Sequence, residues 1–341
     1  MAGPTSNASR YLPERPVDAP VAGRFEVAID QLRGGRVTLY HPPAERVDSQ
    51  QFLTVARREI ERLAPLRDTG YCTALDAGLD TQGEPFVVLD RPQGRSLAGV
   101  LHDQGQMRAD LALAMIIDLS DPVERAHHLN VLPVPLTLDG IFLQPRADGH
   151  YRVSLVDRAL HRTALAALVP APLRPKAFES PQVFAGAAPE IRDDVFSMTA
   201  LLYLCLYGVM PPPMGPHGPT DGSGWPTVPS ETLRLDRRLE ACLHTVLLKG
   251  LAPTREGRFR NLGGLRRGLV GLRQLMRLSA AAFEVLAATR GRLGRLGATA
   301  GPLDLQLPDP ELDRAAAAVA RIQQVYTTPG GGSLSRLRDE R

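Results

Sequence analysis

Lysine is almost missing from this chain: 38 of its 40 basic residues are arginines. The two lysines are Lys176 and Lys249, so the first 175 residues hold none. Codon bias in a GC-rich genome accounts for the imbalance, yet the consequence is physical, because chemistry that needs an ammonium has none to draw on there. Cysteine is scarce too. Cys72, Cys205 and Cys242 are isolated and odd in number, which excludes a disulfide framework and a metal-ligand spacing. They fit small buried apolar residues in a reducing cytoplasm. Aromatics make up 5% and the net charge is +3, so there is neither a stacking platform nor a basic field for nucleic acid. The longest apolar run, Thr199 to Tyr207, falls far short of the roughly 20 residues of a membrane span. The amino terminus is polar and proline-rich, unlike a signal peptide. A soluble, cytoplasmic protein is expected.

What is present is globular: 43% hydrophobic and 23% charged residues in 341 positions, enough for one large two-lobed domain or two ordinary ones. Residues 1–9 read as a polar tail. From Tyr11 to about Asp90 the pattern is mostly strands with one helix. Phe25 to Ile29 alternates with period two, Arg33-Gly34-Gly35 is a turn, and Arg36 to Tyr40 is a further strand. Phe52 to Leu66 reads as a helix with Phe52, Val55, Ile60, Leu63 and Leu66 roughly on one face. Phe86 to Leu89 is a short, continuously apolar strand. After Gly94 the reading becomes helical, with helices over 109–129, 194–207, 236–251 and 262–275. Met210 to Glu231, rich in proline and glycine, is expected to be a loop. Periodicity alone supports an α+β class.

The most informative stretch is Asn130-Val131-Leu132-Pro133-Val134-Pro135-Leu136-Thr137-Leu138-Asp139-Gly140-Ile141-Phe142-Leu143. It resembles the catalytic loop of a Hanks-type protein kinase, which reads G-I-V-H-R-D-L-K-P-E-N-I-L-L in bacterial members. The apolar frame survives, while His-Arg-Asp has become Pro133-Val134-Pro135, the lysine Thr137 and the asparagine Gly140. Five further blocks follow the same family in order. They are Arg58 to Arg67 (the lobe-bridging helix), Pro85 to Leu89 with Gly94 to Leu97 (hinge and following helix), Ala126-His127, Asp194 to Met198 with Leu201 to Tyr203 and Gly208 to Pro212, and Leu251-Ala252-Pro253 with Arg258-Phe259.

The resemblance covers roughly residues 10–275 and implies a two-lobed kinase-like fold. A small β-rich lobe spans 10–90 and a larger, mainly helical one 91–275. A helical extension over 276–328 and a flexible tail over 329–341 would follow. It also places the reactive positions. The glycine-rich loop that brings backbone N–H groups to phosphate would be Val17 to Gly23, where Gly23 alone remains, Asp18 adds negative charge and Pro20 offers no N–H. Tyr40 stands at the strand lysine, and Glu59 matches the glutamate that the lysine would pair; without it, Glu59 is solvated or paired with an arginine. The hinge begins at Asp90, and its usual N–H donor falls on Pro92, which has none. Pro135 replaces the general base and Gly140 a metal ligand. Asp157 matches the metal-binding aspartate, a weak metal candidate better read as an acid capping the next turn.

Structural positions persist by comparison. Asp194 matches the buried helix aspartate that anchors the catalytic loop. Gln182 stands where the family has a glutamate, and Arg258 matches that glutamate's partner, so a weakened contact is expected. His127 and His128 read as packed or surface histidines, and Thr163, Ser180 and Thr199 are weak candidates for phosphorylation, no better than any exposed hydroxyl. Beyond the fold, 276–297 is rich in Ala, Leu and Arg, and a helix over 312–326 is expected to pack on the large lobe or dock a partner. The resemblance therefore implies a degenerate member, a pseudokinase that binds protein partners, such as a true kinase or a multiprotein assembly, without ATP. The alternatives are a divergent serine/threonine kinase using ATP and Mg²⁺, and a non-catalytic nucleotide sensor.

Overall fold

The computed structural model describes residues 9–17, 24–43, 48–132, 136–156, 178–212, 214–215, 218–219 and 237–293. A five-stranded antiparallel sheet opens the chain. Its strands are β1 (Tyr11–Val17), β2 (Arg24–Asp30), β3 (Gly35–His41), β5 (Ala74–Leu79) and β6 (Pro85–Asp90), in the order β1-β2-β3-β6-β5. Register fixes which residues share a face: Tyr40 stands opposite Phe25 and Val87, and Thr38 opposite Val27 and Leu89. Because side chains alternate, one face carries Phe25, Val27, Thr38, Tyr40 and Val87 and the other Ala28, Val37, Leu39, Phe86 and Val88. The second set packs with Tyr11 into a small core of its own.

Helix α1 (Ser49–Leu63) covers the first face. Asp48 caps it, its carboxylate accepting the Gln51 N–H at 2.8 Å. Phe52, Ala56 and Ile60 recur at four-residue spacing and pack with Tyr40, Ala77 and Val87. One turn later Leu63 belongs to a different and larger core, and Leu66, in the short turn that follows, joins it. The helix thus bridges two cores.

That larger core belongs to the helical lobe. Helices α2 (Leu97–Gln104), α3 (Ala109–His128), α4 (Pro181–Phe184), α5 (Ile191–Tyr207), α6 (Arg237–Gly250) and α7 (Leu262–Leu293) follow in order. Leu113, Ile116, Leu202, Leu206, Leu247, Leu265 and Leu269 are among its fully buried members. Helix α5 begins in a capping box, where Glu190 N donates to the Asp193 carboxylate at 2.8 Å. It stops at Gly208, whose φ of 71° is left-handed.

Beyond Gly94 the chain is mainly helical, as expected, and short strands lie among the helices. A four-stranded sheet lies between the lobes' helices, built from β4 (Tyr71–Cys72), β7 (Arg95–Ser96), β8 (Ile141–Pro145) and β9 (Tyr151–Val156) in the order β4-β9-β8-β7. Gly94 makes the β7–β8 pairing possible: its φ is 95°, and a Cβ there would lie 2.2 Å from the Leu143 carbonyl oxygen. The expected helix end at 275 is corrected, since α7 continues to Leu293 and the expected border at 275–276 falls inside it. Within the expected 210–231 loop, Met214–Gly215 and Gly218–Pro219 form a two-stranded ribbon, β10 with β11. The expected helix over 312–326 lies outside the described residues. Among the described residues no helix is long and apolar enough to cross a membrane.

Candidate functional site

The site expected from the sequence lies along the α1-facing side of the sheet, the segment after β6, and the segments that follow α3 and β9. Tyr40 is its centre. It is 8% exposed, and its ring lies 4.6 Å from that of Phe25, tilted by 33°. Burial pushes its hydroxyl up to about 12, so it stays a neutral phenol. Sheet pairing and the packing of α1 hold the ring in an apolar cluster. No lysine stands near that cluster in the sequence, the first being Lys176.

Glu59, buried on α1, is bonded three residues along its own helix: Arg62 Nε donates to Oε2 at 2.9 Å and Nη2 to Oε1 at 2.5 Å. Arg62 also reaches the Leu129 carbonyl at the end of α3, 3.3 Å away, tying α1 to the large lobe. The carboxylate expected, from the resemblance, to face a strand lysine is thus turned to a local guanidinium.

The hinge segment is equally occupied. Asp90 N donates to the Thr73 carbonyl at 2.9 Å, and burial pushes the Asp90 carboxyl up. Pro92 offers no N–H, and between them Arg91 Nη1 lies 3.5 Å from Thr38 Oγ1. Beside it a cavity of about 390 Å³ is lined by Glu14, Arg15, Val27, Arg36 and Arg91. Three guanidinium groups and one carboxylate make that wall, and Arg36 already donates to Glu14 at 2.8 Å. The lining is mostly cationic, unlike an apolar slot that stacks on a purine.

Of the catalytic-loop frame, Val131, Leu136, Ile141 and Leu143 are buried in the large core. Thr137, at the position of the loop lysine, caps a short turn over Leu138–Gly140, its hydroxyl accepting Gly140 N at 3.0 Å. Gly140, buried, leads directly into β8 and carries no ligand atom. Pro135, with Pro133 and Val134, lies outside the described residues, as do Asp18, Pro20 and Gly23 between β1 and β2, and Asp157 after β9.

Asp194 is fully buried on α5, and its Oδ2 lies 2.7 Å from His127 Nε2 on α3. His127 is therefore a packed histidine that joins two helices. Arg258 is also buried, and its Nη2 donates to Gln182 Oε1 at 2.6 Å. The expected contact to the amide is formed, and a carboxylate for the same arginine comes from Asp193, a residue the sequence reading passed over. Asp193 accepts from Arg258 Nη1 at 3.0 Å, Arg255 Nη2 at 2.5 Å and Ser180 Oγ at 2.6 Å. Burial, the largest influence, pushes its carboxyl up, but the bonds from Arg255, Ser180 and Glu190 N outweigh it and hold the group below its ordinary value. Ser180 and Thr199 are fully buried, which counts against both of these weak candidates for phosphorylation. Thr163 lies outside the described residues.

The serine/threonine-protein kinase PknB of Mycobacterium tuberculosis is 25% identical over 297 residues, covering 82% of this chain and 46% of that kinase. A probable serine/threonine-protein kinase of Streptomyces coelicolor, SCO3848, is 23% identical over 219 residues, 57% of this chain and 32% of its own. In sequence the chain is similar to bacterial serine/threonine protein kinases. It spans about half the length of the first of these relatives. The solved kinase domain of Mycobacterium tuberculosis PknI superposes with a TM-score of 0.53 at 18% identity, over 80% of this chain and 99% of that domain. The fold is accordingly the two-lobed α+β kinase fold. No family model matches the chain.

Proposed function

We propose that this chain is a pseudokinase, a kinase fold that acts by holding protein partners as a scaffold or allosteric regulator and leaves ATP unbound. The observation that carries the reading is Tyr40: where phosphate contact requires a cation, a neutral ring is packed under α1 and its would-be partner Glu59 is bonded to Arg62. Pro135 cannot take a proton from a hydroxyl, and loss of a positioned base alone removes roughly 10²–10⁴ in rate. Gly140 supplies no metal ligand, and the losses of base, metal and lysine act on one transition state, so they do not simply multiply. Asp193 supports the same reading from the other side. The ion network that braces the large lobe is complete while the reactive positions are replaced, as selection for a surface would leave them.

A thermal-melt titration of the full chain with ATP and Mg²⁺ tests the nucleotide half. A ligand at 100 times its dissociation constant adds about 2.7 kcal/mol of stability, and no shift is expected. A clear shift speaks for the nucleotide sensor or the divergent kinase. Phosphate transfer to a protein substrate, lost on Asp157→Ala, would end the pseudokinase reading. The binding half is tested by recovering partners from the native cell with the full chain as bait. A bait that returns nothing reproducible, under conditions that recover known complexes, counts against a scaffold.

A further inference from the structure

On the sheet face opposite Tyr40, at the end of β3, His41 is 5% exposed and neither of its ring nitrogens has a hydrogen-bond partner. An imidazole left so is costly, since burial removes water from two polar atoms and returns nothing. Its Nδ1 lies 3.9 Å from Asp80 Oδ2, beyond hydrogen-bond length. Asp80 is held there by the β5–β6 turn: its other oxygen accepts the N–H groups of Gln82 at 2.8 Å and Glu84 at 2.9 Å. The same turn delivers Glu84. One donor atom each from His41, Asp80 and Glu84 lies within 4.8 Å of the other two.

Arg24 shows that the place attracts positive charge. Its Nη2 stands 3.8 Å from both Asp80 Oδ2 and Glu84 Oε2, too far to bond either. Half exposed, it is a loosely held cation that is free to swing away, and its Nη1 already pairs with Glu26 at 3.1 Å. A guanidinium satisfies the carboxylates in part but cannot satisfy an imidazole lone pair. A metal ion satisfies all three.

We propose that His41, Asp80 and Glu84 form a divalent-metal site that takes Zn²⁺, on the sheet face opposite Tyr40. One imidazole nitrogen with two carboxylate oxygens is a zinc ligand set, and the nitrogen disfavours Mg²⁺ and Ca²⁺, which prefer oxygen alone. Tetrahedral zinc with bonds of about 2.0–2.2 Å places its ligands about 3.4 Å apart, so rotation of the Glu84 and Asp80 side chains closes the set. Water fills the fourth position. The ion would tie the end of the β2–β3 hairpin to the β5–β6 turn and displace Arg24. No local pattern marks the site, because its ligands are spread over positions 41, 80 and 84 and meet only when β3 pairs with β6.

The test uses the full chain, stripped with chelator and dialysed against graded Zn²⁺ with the bound metal counted, and Co²⁺ as a spectroscopic probe of tetrahedral coordination. One saturable zinc per chain is expected at this site. Asp80→Asn with Glu84→Gln, which keeps the turn's Oδ1 acceptor, should weaken it at least about 100-fold while the metal-free melt stays unchanged. Arg24→Ala removes the competing cation without touching a ligand, and should tighten binding several-fold. Zinc binding that survives intact in the double variant, the absence of any saturable binding, or an Arg24→Ala chain that binds no tighter overturns the proposal.

Discussion

Asp193 supplies the charge that Gln182 lacks, and the two together hold Arg258 and Arg255 against α5. Asp193→Asn leaves two guanidinium groups around a neutral amide, and breaking a buried pair in this way costs about 3–5 kcal/mol, read as a lower midpoint in denaturant at neutral pH. The pH dependence follows from the direction of its shift. A carboxyl held below its ordinary value stabilises the fold above its unfolded-state pKa, and that stability is lost as pH falls through the folded one. The gap between wild type and Asp193→Asn should therefore narrow steadily in acid. Tyr40 makes the converse case. Tyr40→Lys, which restores the family's residue, buries an ammonium in the cluster of Phe52, Ala56 and Val87, and should destabilise by about 2 kcal/mol or more without conferring phosphate transfer. Recovery of activity in that variant would mean that the cleft had been damaged at one position only. At this scale the sequence was legible where a residue type changed at a motif position, as at Tyr40, Gly140 and Gln182. It was silent about Asp193, because an acid beside the motif aspartate looks like an ordinary helix-start residue until Arg255 and Arg258 fold onto it.

Among the elements, strands β2, β3 and β6 and helices α1, α3, α5 and α6 were legible because each carries enough residues for its period to show. The sheet of β4, β7, β8 and β9 was not. Two of its strands have two residues each, and β8 was read as the apolar frame of a loop. Such strands exist through their partners: Tyr71 pairs with Leu155, and Arg95 with Leu143, across long separations that no local pattern encodes. Gly94 is the joint on which that pairing turns, since the chain leaving the hinge must pass against the β8 backbone. Gly94→Ala combines a strained φ with a Cβ in the path of the Leu143 carbonyl, and should cost more than about 2 kcal/mol, measured by denaturant unfolding. A glycine replaced at Gly34, where a Cβ meets nothing within 4 Å, separates the two causes, because only the strain of its φ of 70° remains. The smaller loss belongs there. If both substitutions cost the same, the close approach to β8 contributes nothing and the hinge path is set elsewhere.

Two lobes joined by a hinge invite independent unfolding, yet α1 runs from one core into the other. Phe52, Ala56 and Ile60 face the sheet, while Leu63 and Leu66 sit in the core of Leu113, Ile116 and Leu202. Arg62 adds a bond to the Leu129 carbonyl from the same turn. Glu59 is bonded within that helix and Tyr40 packs beneath it, so the helix joins the two cores as a strut. Calorimetry should accordingly record one cooperative transition for the full chain, with the calorimetric and van't Hoff enthalpies in agreement. Leu63→Ala removes the strut's anchor in the large core at a cost of about 2–5 kcal/mol. Because that loss falls at the join, it should do more than lower the midpoint: the sheet should melt ahead of the helices, giving two transitions. Leu269→Ala, inside the helical core on α7, should cost a similar amount and leave a single transition at lower temperature. Two variants of like cost and unlike cooperativity would locate the coupling between the lobes in the last turn of α1. A single transition in both would move it to the hinge and the small sheet beside it.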